Sequence, residues 1–334
     1  MWPKENKVEF ELKRPTAKRW IVAIPAKNEA ERLNDSIVAL DQAAIQANVE
    51  MCIMVLANDC EDESVEIARQ ASKSAVQADV SVHACQMPAH LAHAGGARRH
   101  AVELAFQAFG ERPLDVIIST DADARFRPDA IVKMRSAFES GADVVLAKFE
   151  VISDPFDPAP VGALHWDRRF TSWRSRVRQL VEAFRTGQMP SAALHDDYGG
   201  AGIAAQIQAY RSLGGFKPLP SGEDHSFVKA ADLAGLSVNR QSGAIVDVLA
   251  RAHGRASGGM AQELAKCATA AVLGLPCMVE CHQATARRIR CNPCHSVAFP
   301  DRISEWETAE EATLGLERVI LELVTGQTAH SSAA

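Results

Sequence analysis

The sequence predicts an α/β fold: a mostly parallel sheet with helices on both faces, followed by a helical C-terminal extension. Two observations predict it. From Arg19 to about Lys148, short apolar runs alternate with segments of helical spacing. Those runs are apolar at nearly every position, as strands covered on both faces are. The length of 334 residues suits one large domain or two ordinary ones.

The first run, RWIVAIP, reads as a strand closed by Pro25. NEAERLNDSIVALDQAAIQA follows as a helix, with Asn28 and Glu31 spaced as a capping box. MCIMVLA is the second strand and DESVEIARQASKSA the second helix. DVSVHA is a weaker third strand, and GGARRHAVELAFQAF is a helix entered through Gly95 and Gly96. DVIIST is the fourth strand. RPDAIVKMRSAFES is the fourth helix, with Pro128 near its first turn. ADVVLAKFE is the fifth strand. Past Glu150 the rhythm changes. SDPFDPAP is a loop, ALHWDRRFTSWRSRVRQLVEAFRTG a long basic helix dotted with aromatics, and HDDYGGAGIA a glycine-rich bend. KPLPSGEDHSFVKAADLAGL is a loop leading into a helix. SVNR and AIVDVLA are short strands. From Gly258 onward the chain reads as helical and carries five of the eight cysteines.

The chain is 47% hydrophobic and 23% charged, an ordinary globular composition. Its formal net charge of -6 argues against a general nucleic-acid binder, which needs a basic face. No apolar run has the length of a transmembrane segment. The charged N-terminus, MWPKENKVEFELKRP, lacks the apolar core of a signal peptide. The expectation is a cytoplasmic protein whose cysteines are mostly reduced thiols.

In open α/β sheets, ligands gather at the carboxyl ends of the strands. Those ends here are polar, acidic or proline-bearing. After the fourth strand come Asp121, Ala122 and Asp123. In an extended chain, residues i and i+2 share a face, so the two carboxylates are spaced to share one hard cation, Mg2+ or Mn2+. The small Ala122 leaves room for a bulky ligand. The competing reading is a solvated turn. After the first strand come Pro25, Ala26, Lys27, Asn28 and Glu29; after the second, Asn58 and Asp59, placed to accept hydrogen bonds from a base or ribose. Gly95 and Gly96 open a helix to close backbone approach, and Arg98 is placed to meet a diphosphate. Neither a G-x-G-x-x-G nor a P-loop is present. Glu223 and Asp224 stand at a loop-to-helix junction. Asp224 reads either as a general base for an attacking hydroxyl or as a capping partner of Ser221.

In this order, the motifs resemble glycosyltransferase family 2 and its GT-A, Rossmann-like nucleotide-diphospho-sugar fold. VAIPAKNEAERL resembles the family's opening strand with Pro-x-x-Asn-Glu, and VLANDCEDES its second acidic strand end. GGARRHAVELA resembles its next helix, although Arg99 stands where Asn is usual. STDADARFRPDAI resembles the Asp-x-Asp segment, YRSLGGFKPLPSGEDHSF the acceptor-side segment, and ARAHGRASGGMA a later Arg/Gly segment of some bacterial members. The resemblance covers roughly residues 19 to 265. It implies that Pro25, Asn28, Glu29 and Asp59 line a nucleotide pocket. It implies that Asp121 and Asp123 hold Mn2+ or Mg2+ on the diphosphate of a nucleotide-sugar donor. It makes Asp224, with Glu223 beside it, the base of an inverting transfer to the hydroxyl of a carbohydrate, lipid-linked or small-molecule acceptor. The expected organisation is an N-terminal segment (1–18), a nucleotide-sugar-binding half (19–150), an acceptor-binding half of the same domain (151–257) and a helical, Cys-containing region (258–334).

Several features stand outside that set. His253 is a candidate for an extra metal or phosphate contact. Trp166, Trp173, Arg168 and Arg169 read as a surface helix burying its aromatics or as an acceptor platform. His195, Asp196 and Asp197 are candidate acceptor contacts. Cys277, Cys281, Cys291 and Cys294 have spacing suited to a structural zinc, or to core packing. Two other functions compete. One is a nucleotidyltransferase forming a nucleotide-sugar, against which the glycine-free IPAKNEAERL counts. The other is a non-enzymatic scaffold with a zinc-stapled tail.

Overall fold

The computed structural model describes residues 18–240, 242–254, 260–291 and 303–326. The first part of the chain runs β1 (Trp20–Ala26), α1 (Leu33–Ala47), β2 (Met51–Asn58), α2 (Ser64–Ser74), β3 (Ala78–Cys85), α3 (Ala94–Phe109), β4 (Val116–Ser119), β5 (Ala124–Phe126), α4 (Ala130–Glu139), β6 (Val144–Leu146) and β7 (Lys148–Ser153). Then come α5 (Val161–Thr186), β8 (Ile203–Gln206), α6 (Ile207–Ser212), α7 (Glu223–Leu233), β9 (Val238–Asn239) and β10 (Ile245–Ala250). The C-terminal region holds α8 (Met260–Val272), β11 (Met278–Glu280), α9 (His282–Cys291), β12 (Trp306–Thr308) and α10 (Ala309–Thr325).

The main sheet has seven strands in the order β3-β2-β1-β4-β8-β6-β9. All neighbours are parallel except β8, which runs antiparallel between β4 and β6. Both faces are covered, and the period of two along β1 shows how. Trp20, Val22 and Ile24 enter one core with Leu33, Ile37 and Leu40 of α1 and Met134 of α4. Ile21 and Ala23 enter the other with Val102 and Phe106 of α3, Tyr210 of α6 and Phe227 of α7. A second sheet, β5-β10-β7, lies beyond the carboxyl end of β4. The long helix α5 packs against α8, α9 and α10 around Trp173, Leu180, Cys277 and Leu316. No described helix is long and apolar enough to cross a membrane.

Pro25 does not close β1, which runs to Ala26 beside β2. Pairing with β4 stops at Ala23, so Pro25 falls where that side of the strand is open and its missing N–H is tolerated. Asn28 is not a helix cap. It is left-handed, with φ of 51°, and α1 begins only at Leu33. ADVVLAKFE is two strands: the chain leaves β8 after Leu146 and joins β10 from Lys148. The strand β8 is absent from the sequence reading because IAAQ is alanine-rich and trails a glycine-rich bend. The C-terminal region is not wholly helical, since β11 and β12 pair antiparallel.

Candidate active site

The carboxyl ends of β1, β2 and β4 open into a cleft of about 1830 Å3. Its wall includes Pro25, Lys27, Glu29 and Asn58 on one side, Asp121 and Asp123 at the centre, and His195, Asp197, Glu223 and Asp224 on the other. Residues of α5 and α8 close the far end. Ala26, Asn28 and Asp59 do not line this cleft. Ala26 is buried in the core. Asn28 and Asp59 brace the loops behind the wall. Asn28 Oδ1 accepts from the Glu61 N–H at 2.8 Å, and Asp59 Oδ1 from the Met87 N–H at 2.8 Å. Both adopt positive φ, which Asn and Asp tolerate better than most residues.

Asp121-Ala122-Asp123 is a turn between β4 and β5, not the end of a strand. The turn is closed by the Ala124 N–H donating to the Asp121 carbonyl at 3.2 Å. Ser36 of α1 braces it by donating to the Ala124 carbonyl at 2.7 Å. Ala122 packs into the core beneath rather than simply leaving space above. The two carboxylates therefore part company, and each meets its own arginine.

Asp121 accepts from Arg98 Nη2 at 2.7 Å. Arg98 is 5% exposed, and most of its donors go to protein. Nε reaches Glu223 at 2.8 Å, and Nη1 reaches Ser119 Oγ at 2.6 Å and the Gly200 carbonyl at 2.7 Å. Arg98 is thus a bracket between the Asp121 turn and α7, not an open diphosphate ligand. Burial alone would lower its pKa, but Asp121, Glu223 and Asp224 outweigh burial and raise it. The bracket needs a glycine, because a Cβ at Gly200 would collide with the guanidinium. The backbone approach allowed by Gly95 and Gly96 is to protein: side chains there would strike the Leu219 and Leu91 carbonyls.

Asp123 and Glu29 both bind Arg251, the first arginine of the Arg/Gly segment ARAHGRASGGMA, to which the sequence assigns no role. Arg251 Nη2 lies 3.0 and 2.8 Å from the two Glu29 oxygens and contacts Asp123 Oδ2. Burial pushes the Asp123 carboxyl up to about 6; Arg251 opposes that shift, while Asp121 and Glu29 reinforce it. Two signals mark it: it belongs to that Arg/Gly segment, and it directly follows the apolar strand β10, as the acids follow theirs.

Glu223 is 3% exposed and spent on Arg98, so it does not face a substrate freely. Asp224 behaves differently. Burial would raise its pKa, but the His225 side chain and N–H, 3.0 and 2.7 Å from Oδ1, together with Arg98 hold it at about 2. Its Oδ2 lies beside Gly199, where a Cβ would fall 2.8 Å from the Phe149 ring. His195 is 3% exposed, and burial with Lys148 nearby pushes its pKa down to about 4. Burial pushes Asp197 up to about 6.

The outlying candidates separate. His253 is outside the cleft wall and binds Asp157 at 3.0 Å. Trp173 is 1% exposed in the α5 core, whereas Trp166 and Arg168 line the cleft. Arg169 pairs with Glu310. The zinc expectation fails for Cys277, a fully buried thiol pushed up to about 12 by burial. Cys281 lies against Glu305, Cys291 is exposed, and Cys294 lies outside the described residues. Among the described residues no group of three or more His, Cys, Asp or Glu is arranged to hold a metal.

The model of the family described as "Glycosyl transferase family 2" matches residues 21–192. The chain belongs to glycosyl transferase family 2. Its α/β sheet, covered on both faces, is the GT-A arrangement expected from the motifs. No curated protein matches this chain. Solved structures do. Crystalline TarS 1-349 of S. aureus is 17% identical over 70% of this chain, with a TM-score of 0.45; this chain spans 60% of that one. Glucosyl-3-phosphoglycerate synthase of Mycobacterium tuberculosis, in complex with phosphoglyceric acid, is 18% identical. The match covers 78% of this chain and 81% of that one, with a TM-score of 0.42. Mannosyltransferase PcManGT of Pyrobaculum calidifontis, in complex with GDP-Man and Mn2+, is 12% identical. It covers 94% of this chain and 89% of its own, with a TM-score of 0.48. Neither the nucleotidyltransferase nor the scaffold expectation is favoured by the family match.

Proposed function

We propose that this family 2 glycosyltransferase moves a sugar from a nucleotide-diphosphate donor to an acceptor hydroxyl with inversion. The observation that carries the reading is that Asp121, Asp123 and Asp224 line one cleft, with Asp121 and the helix of Asp224 tied together by Arg98 and Glu223. The donor set fits a hard divalent cation: two carboxylates suit Mg2+ or Mn2+ when substrate phosphates complete the shell. Asp123 would be the more direct ligand, with Asp121 held beside it by Arg98, and when bound the cation offsets charge on the leaving diphosphate. Pro25, Lys27 and Asn58 form the nucleotide side. The acceptor oxygen bonds to the anomeric carbon as the bond from that carbon to the diphosphate breaks. Asp224 takes the hydroxyl proton. Held near 2, it is a weak base, so the proton moves late, as bond formation makes the hydroxyl acidic. Glu223 and Arg98 act as positioning residues.

A thermal-shift screen of UDP and GDP with and without Mn2+ identifies the nucleotide, because ligand binding raises apparent stability. Transfer is then followed with the corresponding nucleotide-sugars, and the product anomer is read by NMR. Asp123→Asn and Asp224→Asn should each abolish turnover while leaving the fold intact. Normal turnover in either variant, or a product with retained configuration, refutes the assignment.

A further inference from the structure

The guanidinium of Arg251 occupies the carboxylate side of the candidate cation site. Arg251 follows β10, is bridged to Pro158, and is 9% exposed. Besides Glu29 and Asp123 it faces Asp154, whose Oδ2 lies 3.6 Å from Arg251 Nε. Asp154 is fully buried and already held by Arg32 at 2.6 Å. Arg251 Nε is buried without a hydrogen-bond partner, and Nη1 donates to no acceptor among the described residues. Among the described residues a single Nη2 therefore carries its hydrogen bonds, and Nε and Nη1 have no hydrogen-bond acceptor. The side chain lines the cleft beside Asp123.

This arrangement sets up a competition. A divalent cation on Asp123 would share one carboxylate with a guanidinium, and like charges a few ångströms apart repel. A diphosphate removes the conflict. It offers Arg251 anionic oxygens suited to a planar fork, so the arginine can leave Asp123 without leaving its charge bare. Resting on the proposed donor site, we propose that Arg251 is the resident counter-ion of Asp123 and transfers to the diphosphate of a nucleotide donor as the metal enters. Metal and diphosphate then each raise the other's affinity, and the linkage is reciprocal. Arg251 is a positioning residue in this scheme: it keeps the carboxylates compensated in the empty cleft and admits the cation together with the donor.

The test separates the two ligands, since nucleoside diphosphates chelate Mn2+ in free solution. Mn2+ binding to the full chain is measured alone by EPR of the free ion. UDP or GDP binding is measured alone, in EDTA, by calorimetry. Arg251→Gln should bind Mn2+ about tenfold more tightly than wild type and metal-free nucleoside diphosphate about tenfold more weakly. A merely structural role would weaken both together, and that result, or unchanged Mn2+ affinity, overturns the proposal. Circular dichroism monitors folding. Should Arg251→Gln not fold, Arg251→Lys, too short to span both carboxylates, should show smaller shifts of the same two signs; no shift overturns the idea equally. Wild type that binds neither Mn2+ nor a nucleoside diphosphate overturns the donor-site reading itself. Wild type that binds both, without the opposed shifts in the variants, overturns only the role of Arg251.

Discussion

Replacing Arg98 by Met distinguishes a bracket from a phosphate ligand. Glu223 is 3% exposed and takes Arg98 Nε at 2.8 Å. Removing one member of a buried ion pair strands the other, at a cost of about 3–5 kcal/mol. Ser119 Oγ and the Gly200 carbonyl also lose donors, at about 1 kcal/mol each. Arg98→Met should therefore lower unfolding free energy by about 4 kcal/mol or more, read from urea midpoints with the m-value monitored. Glu223→Gln should be milder, about 1–2 kcal/mol, because Arg98 keeps Asp121, Ser119 and Gly200. In the double variant no carboxylate is stranded at Glu223, so about 2 kcal/mol should be recovered as coupling. A phosphate ligand predicts otherwise: near-normal stability, a raised donor KM and no rescue by Glu223→Gln. A loss under about 1 kcal/mol, or coupling within about 0.5 kcal/mol of zero, would refute the bracket.

Gly200→Ala perturbs the same bracket without removing a charge. Its new methyl group must displace the guanidinium, so turnover should fall with the Arg98 side chain still present, and normal turnover would mean that the bracket does not position Asp224. His195 and Asp197 should impose opposite pH slopes on stability. The folded pKa of His195 is depressed, so its contribution is full above 6.5 and is lost as pH falls toward 4, up to about 3 kcal/mol. The folded pKa of Asp197 is raised, so its contribution is full below 3.8 and is lost as pH rises through 6. His195→Gln should flatten the acid fall in urea midpoint and Asp197→Asn should steepen it; changes of the same sign would contradict both. Trp173→Ala should cost about 3–5 kcal/mol as a core truncation, measured by denaturation, whereas a surface platform residue would cost little. Cys277→Ala should cost only about 1 kcal/mol and leave the chain indifferent to chelators, since a buried thiol behaves as a small hydrophobe.

Much of the fold was legible because it rests on local periodicity. Apolar runs at β1, β2 and β4 have one meaning in a sheet buried on both faces, and intervening helices enforce parallel order. What escaped was short or non-local. The strand β5 has three residues, β8 is alanine-rich, and the change of sheet at Ala147 depends on partners β8 and β10 that come later in the chain. At Asp121-Ala122-Asp123 the sequence leaves an extended strand end and a turn both open, because alternation alone does not distinguish the last extended residue from the first turn residue; the fold takes the turn.

The candidate site divides along a similar line. Carboxylates at strand ends announce themselves, since an acid closing an apolar run needs a reason. Their partners do not, because pairing is a property of the fold. Arg98 meets Glu223 across 125 positions, and Arg251 meets Glu29 across 222. Sequence therefore exposes the acids as if they were bare. In the folded chain Asp121 and Asp123 each contact an arginine, Glu223 is already committed, and Asp224 is held ionised by His225. That changes the chemical question at the cleft. Two free carboxylates would attract a cation unaided, whereas two compensated ones require that something first take up a guanidinium. Among the described residues Arg251 leaves both Nε and Nη1 without an acceptor, whereas Arg98 commits four of its five donors to Ser119, Gly200, Glu223 and Asp121. The asymmetry assigns the fixed role to Arg98 and the moving one to Arg251. It also explains why the donor, which brings its own negative charge, is the natural trigger.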